Sequence, residues 1–125
     1  MEKVLIIDDN GINLRTAKEA LDDYYEVITV NSCKMALRYL EQHTPDIILL
    51  AIQMPEIDGF ETMAAIRSLP QTEDTPIIFL TAQNNIDDEI RGLELGAVDY
   101  IHKPFQPQIM RTRIRTQLAL ANYQD

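Results

Sequence analysis

The sequence predicts an α/β protein built on a doubly wound, five-stranded parallel sheet. Three observations lead there. Five apolar or β-branched runs of strand length recur along the chain, each followed by apolar residues at helical spacing. Runs such as Val4-Leu5-Ile6-Ile7 are continuously apolar, as in strands buried on both faces. Parallel neighbours need crossover connections, and the intervening helical segments supply them.

The first strand is Val4 to Ile7, ending at Asp8-Asp9-Asn10, and a helix with Leu14, Ala17 and Leu21 on one face follows. Tyr25 to Val30 is rich in β-branched and aromatic residues and reads as the second strand. Asn31 or Ser32 can cap the next helix, whose apolar stripe is Cys33, Ala36, Leu37 and Leu40. Pro45 leads into the third strand, Ile47 to Leu50, and a loop with Pro55, Asp58 and Gly59. Gly59 opens a helix bearing Phe60, Met63, Ala64 and Ile66, which ends near Pro70. Gln71 to Thr75 reads as a polar loop. Pro76 to Thr81 is the fourth strand. Ile86, Ile90, Leu93 and Ala97 form the next stripe, predicted to face the core, with Gly96 placed to stop that helix. Val98 to His102 is the fifth strand, Lys103-Pro104-Phe105 turns the chain, and a last helix carries Met110, Ile114, Leu118 and Ala121. That helix is able to continue past Asp125 into a further domain.

The chain has 125 residues, one domain's worth, with 46% hydrophobic content. Its 20 acids and 11 bases give a net charge of -9, which argues against a direct nucleic-acid or anionic-membrane surface. The single cysteine, Cys33, excludes an intrachain disulfide and suits a cytoplasmic location; on an apolar helix face it reads as a small buried hydrophobe. No run approaches a membrane span, and Met1-Glu2-Lys3-Val4 leads directly into a strand without room for a signal peptide.

In such a sheet the residues that matter lie just past the strand ends. Here those ends read Asp8-Asp9, Asn31-Ser32, Ala51, Thr81-Ala82 and Lys103-Pro104. Two carboxylates, a hydroxyl and an ammonium should therefore converge. Each has a plainer reading: Asp8 or Asp9 as a helix cap, Thr81 as a strand residue, Lys103 as a solvated turn lysine. Their joint placement suits a phosphoryl group and a hard cation. Adjacent carboxylates with backbone and water oxygens hold Mg2+, lysine offers a point charge, and a hydroxyl donates a hydrogen bond. Ala51 has no group that could carry the phosphate.

With these motifs in place, the chain resembles a response-regulator receiver domain of two-component signalling over essentially all of residues 1–125. The resemblance rests on Asp8-Asp9, Met54-Pro55…Asp58-Gly59, Leu80-Thr81-Ala82, Gly96-Ala97…Asp99-Tyr100 and Lys103-Pro104-Phe105, in this order and spacing. It implies a flavodoxin-like (βα)5 fold with strand order 2-1-3-4-5. It implies that Asp8 and Asp9 form an acidic Mg2+ pocket, Asp9 being the direct ligand, joined by the backbone carbonyl of Gln53. It implies that Thr81 senses the phosphoryl group, that Tyr100 is a coupled aromatic switch, and that Lys103 pairs with phosphoryl oxygens ahead of a cis peptide to Pro104. The implied partners are a sensor histidine kinase or phosphotransfer protein, and a downstream effector domain or a second copy. The domain would be a switch rather than an enzyme.

The chain departs from the family at the phosphoacceptor aspartate, whose position is Ala51. Aspartyl phosphate cannot form there, and Mg2+ binding should weaken. Two readings stay open: an engineered aspartate-to-alanine substitution in a working receiver, or a natural pseudo-receiver that acts as a phosphorylation-independent interaction module. An FMN-binding protein on the same architecture is disfavoured, since Asp8 and Asp9 would repel the FMN phosphate. Arg111, Arg113 and Arg115 on the last helix and Asp87, Asp88, Glu89 and Glu94 on or near the fourth read either as solvated faces or as a symmetric dimer contact.

Overall fold

A computed structural model describes residues 1–82 and 85–123. Five parallel strands alternate with five helices: β1 (Lys3–Ile7), α1 (Gly11–Leu21), β2 (Glu26–Val30), α2 (Cys33–Leu40), β3 (Ile47–Ala51), α3 (Gly59–Arg67), β4 (Ile77–Ala82), α4 (Ile86–Glu94), β5 (Asp99–Lys103) and α5 (Pro107–Asn122). The strand order is β2-β1-β3-β4-β5, as expected. A run of α5 beyond Asp125 falls outside the described residues.

Strand alternation sorts the core into two layers. Val4, Ile6, Ile47, Leu49, Ala51, Ile78, Leu80 and Ile101 pack with Ala17 and Leu21 of α1 and Met110, Ile114 and Leu118 of α5. Leu5, Ile7, Ile48, Leu50, Ile77 and Phe79 pack with Ala36 and Leu40 of α2 and Phe60, Met63 and Ile66 of α3. Every residue of β3 is buried, which accounts for its unbroken apolar sequence. Cys33 is buried in the reduced form.

The helix starts follow local chemistry. Asn10, rather than Asp8 or Asp9, caps α1, its side chain accepting from Ile12 N and Asn13 N. Ser32 caps α2. Asp58 and Glu61 form a reciprocal capping box at α3. Gly96 follows α4 with φ 110, a conformation suited to glycine. Segment 71–75 is more ordered than a polar loop: Pro70–Thr72 is a 3-10 turn with Thr72 buried. There Arg67 donates to the Thr72 and Thr75 carbonyls at 2.8 and 2.7 Å, and burial pushes its pKa below the ordinary arginine value. In α3, Ala64 is exposed and Thr62 takes an inward place, its hydroxyl donating to Asp58 O at 2.7 Å.

The largest departure from expectation is α4. Three of the four residues of its predicted core stripe point outward: Ile86, Ile90 and Leu93 are 64%, 50% and 45% exposed, while Ala97, just past the helix, is buried as predicted. Gly92 is the buried residue of the helix. It lies so close to the ring of Phe79 that an added Cβ would sit 2.7 Å from Phe79 Cδ2. The helix is rotated to bring this glycine, not the isoleucines, against the sheet. Arg91 lies over the Phe60 ring at 4.1 Å, and Glu89 contacts His102 of β5. Gly92→Ala is expected to destabilise the protein by about 1–2 kcal/mol, because overpacking against a buried ring outweighs the gain in helix propensity. A urea midpoint equal to that of the parent would contradict this packing.

Candidate functional site

The strand ends meet as the sequence predicts. β1 pairs with β3 so that Ile7 lies beside Leu50, β3 with β4 so that Ala51 lies beside Leu80, and β4 with β5 so that Thr81 lies beside His102 and Ala82 beside Lys103. Continuing the alternation past Ile6, Leu49 and Ile101 puts Asp8, Ala51 and Lys103 on the α1/α5 side of the sheet. Thr81, Tyr100 and His102 lie on the opposite side, toward α4.

Asp8 is fully buried. One carboxylate oxygen accepts from Asn10 N at 3.0 Å; the other accepts from Asn13 Nδ2 at 3.3 Å and pairs with Lys103 Nζ at 3.1 Å. This satisfies a buried anion that would otherwise be costly. Among the described residues, no buried side-chain nitrogen or oxygen lacks a hydrogen-bond partner. From β5, Lys103 reaches past the ends of β4 and β3 to make the pair, over the strand end occupied by Ala51, so its ammonium is paired rather than free. The Lys103–Pro104 peptide is cis, as expected. Lys103→Met should cost about 2 kcal/mol, less than for a fully buried pair because a quarter of the lysine side chain meets solvent. An unchanged denaturation midpoint at neutral pH would show that the pair contributes nothing.

Asp9 is exposed and lines an open cleft of about 560 Å³ with Gln53, Met54, Pro55, Asp58, Asp88 and Arg91. A smaller cavity of about 80 Å³ lies between Gln53, Thr81, Asp88 and Lys103. Thr81 is buried, and its hydroxyl donates to Ala82 O at 3.3 Å. Tyr100 is half-buried between two partners: His102, with ring centroids 5.1 Å apart, and Arg113, whose guanidinium lies 5.5 Å from the tyrosine ring.

Sequence reasoning found Asp8, Asp9, Gln53, Thr81, Tyr100 and Lys103; the structure gathers Asp8, Asp9, Gln53, Thr81 and Lys103 at one end of the sheet, and sets Tyr100 further back in β5, beside Phe79 of β4. It missed Asn13, Asp88, Arg91 and His102. Asp88 enters both cavities from α4, held by Asn85, whose Nδ2 donates to its carboxylate at 2.6 Å. The available signal was Asn85 ahead of Asp88, a helix cap three residues before an acid.

Asp8 keeps its oxygens engaged within the protein, while Asp9 and Gln53 line the open cleft. Among the described residues, no group of three or more His, Cys, Asp or Glu side chains could hold a metal. Such a set fits Mg2+, which keeps several waters and needs only one or two carboxylates, better than a cation requiring an all-protein cage.

The profile of the response regulator receiver domain matches residues 4–115. The chain belongs to the response regulator receiver domain family. It is 42% identical over 115 residues to a probable cyclic di-GMP phosphodiesterase of Vibrio cholerae serotype O1, covering 92% of this chain and 26% of that protein. It is 41% identical to a probable transcriptional regulator, ycf27, of Guillardia theta, covering 97% of this chain and 47% of the relative. The receiver thus spans between about a quarter and a half of the curated relatives it matches. Among solved structures, a response regulator from Chloroflexus aurantiacus J-10-fl superimposes with a TM-score of 0.90 at 35% identity, over 94% of this chain and 98% of the other. The chemotaxis protein CheY4 of Vibrio cholerae superimposes with a TM-score of 0.87 at 31% identity, over 93% and 98%.

Receiver domains generally bind Mg2+ at the phosphorylation site, generally lack enzymatic activity of their own, and act in two-component signalling with histidine kinases and effector domains. Among the described residues, no helix of this receiver is long and apolar enough to cross a membrane.

Proposed function

We propose that residues 1–125 form one receiver domain whose phosphate switch is silenced at Ala51 while its supporting groups stay in place. The observation that carries this reading is the Lys103–Asp8 pair, 3.1 Å long, spanning the strand end where Ala51 presents only a methyl group. In this reading Asp9 and the Gln53 carbonyl, with Asp8 behind them, hold a weak, water-rich Mg2+. Its chemistry when bound is to neutralise charge on a phosphoryl oxygen. Lys103 pairs with phosphoryl oxygens, Thr81 senses them, and Tyr100 reports to the face made by α4, β5 and α5. Without an acceptor carboxylate the chain itself turns nothing over. Its partners are a sensor histidine kinase or phosphotransfer protein and an effector domain or a second copy; the domain itself works in the cytoplasm, with no direct nucleic-acid or membrane contact.

Retention of Asp8, Asp9, Thr81, Tyr100 and Lys103 favours an aspartate-to-alanine substitution in a working receiver. The test is Ala51→Asp with a small phosphodonor and Mg2+: uptake of an acyl phosphate supports the reading, and no uptake overturns it. One observation favours a natural interaction module instead, namely the outward-facing Ile86, Ile90 and Leu93. An alanine codon at position 51 in the source gene would decide for the module.

A further inference from the structure

α4 is attached to the sheet in an unusual way for an amphipathic helix. Its larger apolar residues lie largely toward water. Three contacts join it to its neighbours: Gly92 against the Phe79 ring of β4, Arg91 over Phe60 of α3, and the Glu89 carboxylate on His102 Nε2 of β5. The third is the one whose strength depends on solution conditions. The Glu89 side chain is only 13% exposed, so its charge is largely withdrawn from water, and His102 is the side chain that meets it.

We propose that Glu89 and His102 form a pH-dependent latch fastening α4 to β5. A neutral imidazole offers Glu89 one hydrogen bond; an imidazolium offers the same bond together with full opposite charge, at a carboxylate poorly served by solvent. Acidification through the histidine range should therefore tighten α4 on the sheet, and raising the pH should loosen it.

The surrounding charges are consistent with this sign. From α4, Asp88 adjoins Glu89. From β5, the Tyr100 ring lies beside the imidazole, while Asp99 and Lys103 alternate to the other face of the sheet, Lys103 turned to Asp8. From β4, uncharged Thr81 is the register neighbour of His102. From α5, Arg113 lines a small cavity together with His102 and is the cation that opposes a second positive charge. Its guanidinium is engaged by Asp99 at 3.6 Å and by the Tyr100 carbonyl, whereas Glu89 touches the imidazole directly. The contacting carboxylate outweighs a cation already committed elsewhere.

The latch bears on the cleft. Asp88, next to Glu89, lines both cavities, and Arg91, two residues on, lines the larger one. When α4 loosens, that wall of the cleft loosens with it, whether or not a phosphoryl group is ever carried there. The latch thus stands or falls separately from the phosphate reading.

The experiment is amide hydrogen exchange on the intact chain at about pH 5.5 and about pH 8, expressed as protection factors so that intrinsic exchange chemistry cancels. Protection across Glu89–Glu94 is expected to be about fivefold higher at the lower pH, with β1 and β3 unchanged. Glu89→Gln keeps a hydrogen bond but not the charge, and should flatten this dependence. His102→Gln should flatten it too and guards against misreading a poorly folded Glu89 variant. Equal α4 protection at both pH values in the parent, or an undiminished dependence in both variants, would overturn the proposal.

Discussion

Gly59→Ala is expected to cost about 3 kcal/mol or more, the largest loss of stability for a single methyl group in this receiver. Gly59 begins α3 directly against the end of β3, its N–H donating to Ile52 O at 2.7 Å. A Cβ built there would stand 2.7 Å from Ile52 Cα and closer still to the Ala51 carbonyl oxygen. These are backbone atoms at and just past the buried end of β3, so no rotamer change relieves the clash. The start of α3 or the end of β3 has to move, and either displaces the Gln53–Asp58 loop that lines the cleft. Equilibrium denaturation measures the loss. A midpoint within experimental error of the parent would mean that the close approach is not needed. Gly92→Ala is the milder control, because its neighbour is a side chain.

Ala51→Asp is expected to turn a chain that takes up no phosphate into one that takes it up in near-stoichiometric amount. The restored carboxylate would lie on the sheet face that bears Asp8 and Lys103. It attacks the donor's phosphorus as an oxygen nucleophile, the donor's leaving group departs with its bonding pair, and a mixed anhydride results. Hydroxylamine should release that phosphate, which distinguishes an acyl phosphate from an ester on Thr81. Lys103→Met added to the restored chain should reduce uptake. In chelator, the third acid of the pocket meets Asp8 and Asp9 without a cation between them, so the restored chain should be less stable than the alanine form by about 1 kcal/mol. Phosphate incorporated by the alanine form itself would show that another residue accepts it.

Most of the fold was legible because the strands announce themselves. Four consecutive apolar residues at Val4–Ile7 and Ile47–Leu50, each closed by a polar or small residue, admit few other readings. The strand ends were legible for the same reason: once a strand is placed, the residue after it is at the rim. Helix orientation was harder. The spacing of Ile86, Ile90, Leu93 and Ala97 satisfies the rule for a core-facing stripe, yet only Ala97, past the end of α4, is buried, and within the helix the packed residue is Gly92. Periodicity reports which residues share a face, not whether that face turns inward. A glycine inside a helix was the overlooked signal, since it costs helix stability unless something needs the room. The contacts of Glu89 with His102 and of Arg91 with Phe60 were beyond sequence reasoning, because they join elements whose separation depends on how α4 is rotated.

The strand order β2-β1-β3-β4-β5 also carries a consequence for how the chain assembles. β1 pairs first with the strand that follows it. β3 then takes the other edge of β1, and β4 and β5 each join the edge their predecessor has just created. A chain emerging from the ribosome N-terminus first never has to reopen a formed pair to admit a later strand. The sheet can grow in the order it is translated, and its last addition is β5, the strand that brings Lys103 to the aspartate waiting at the end of the first.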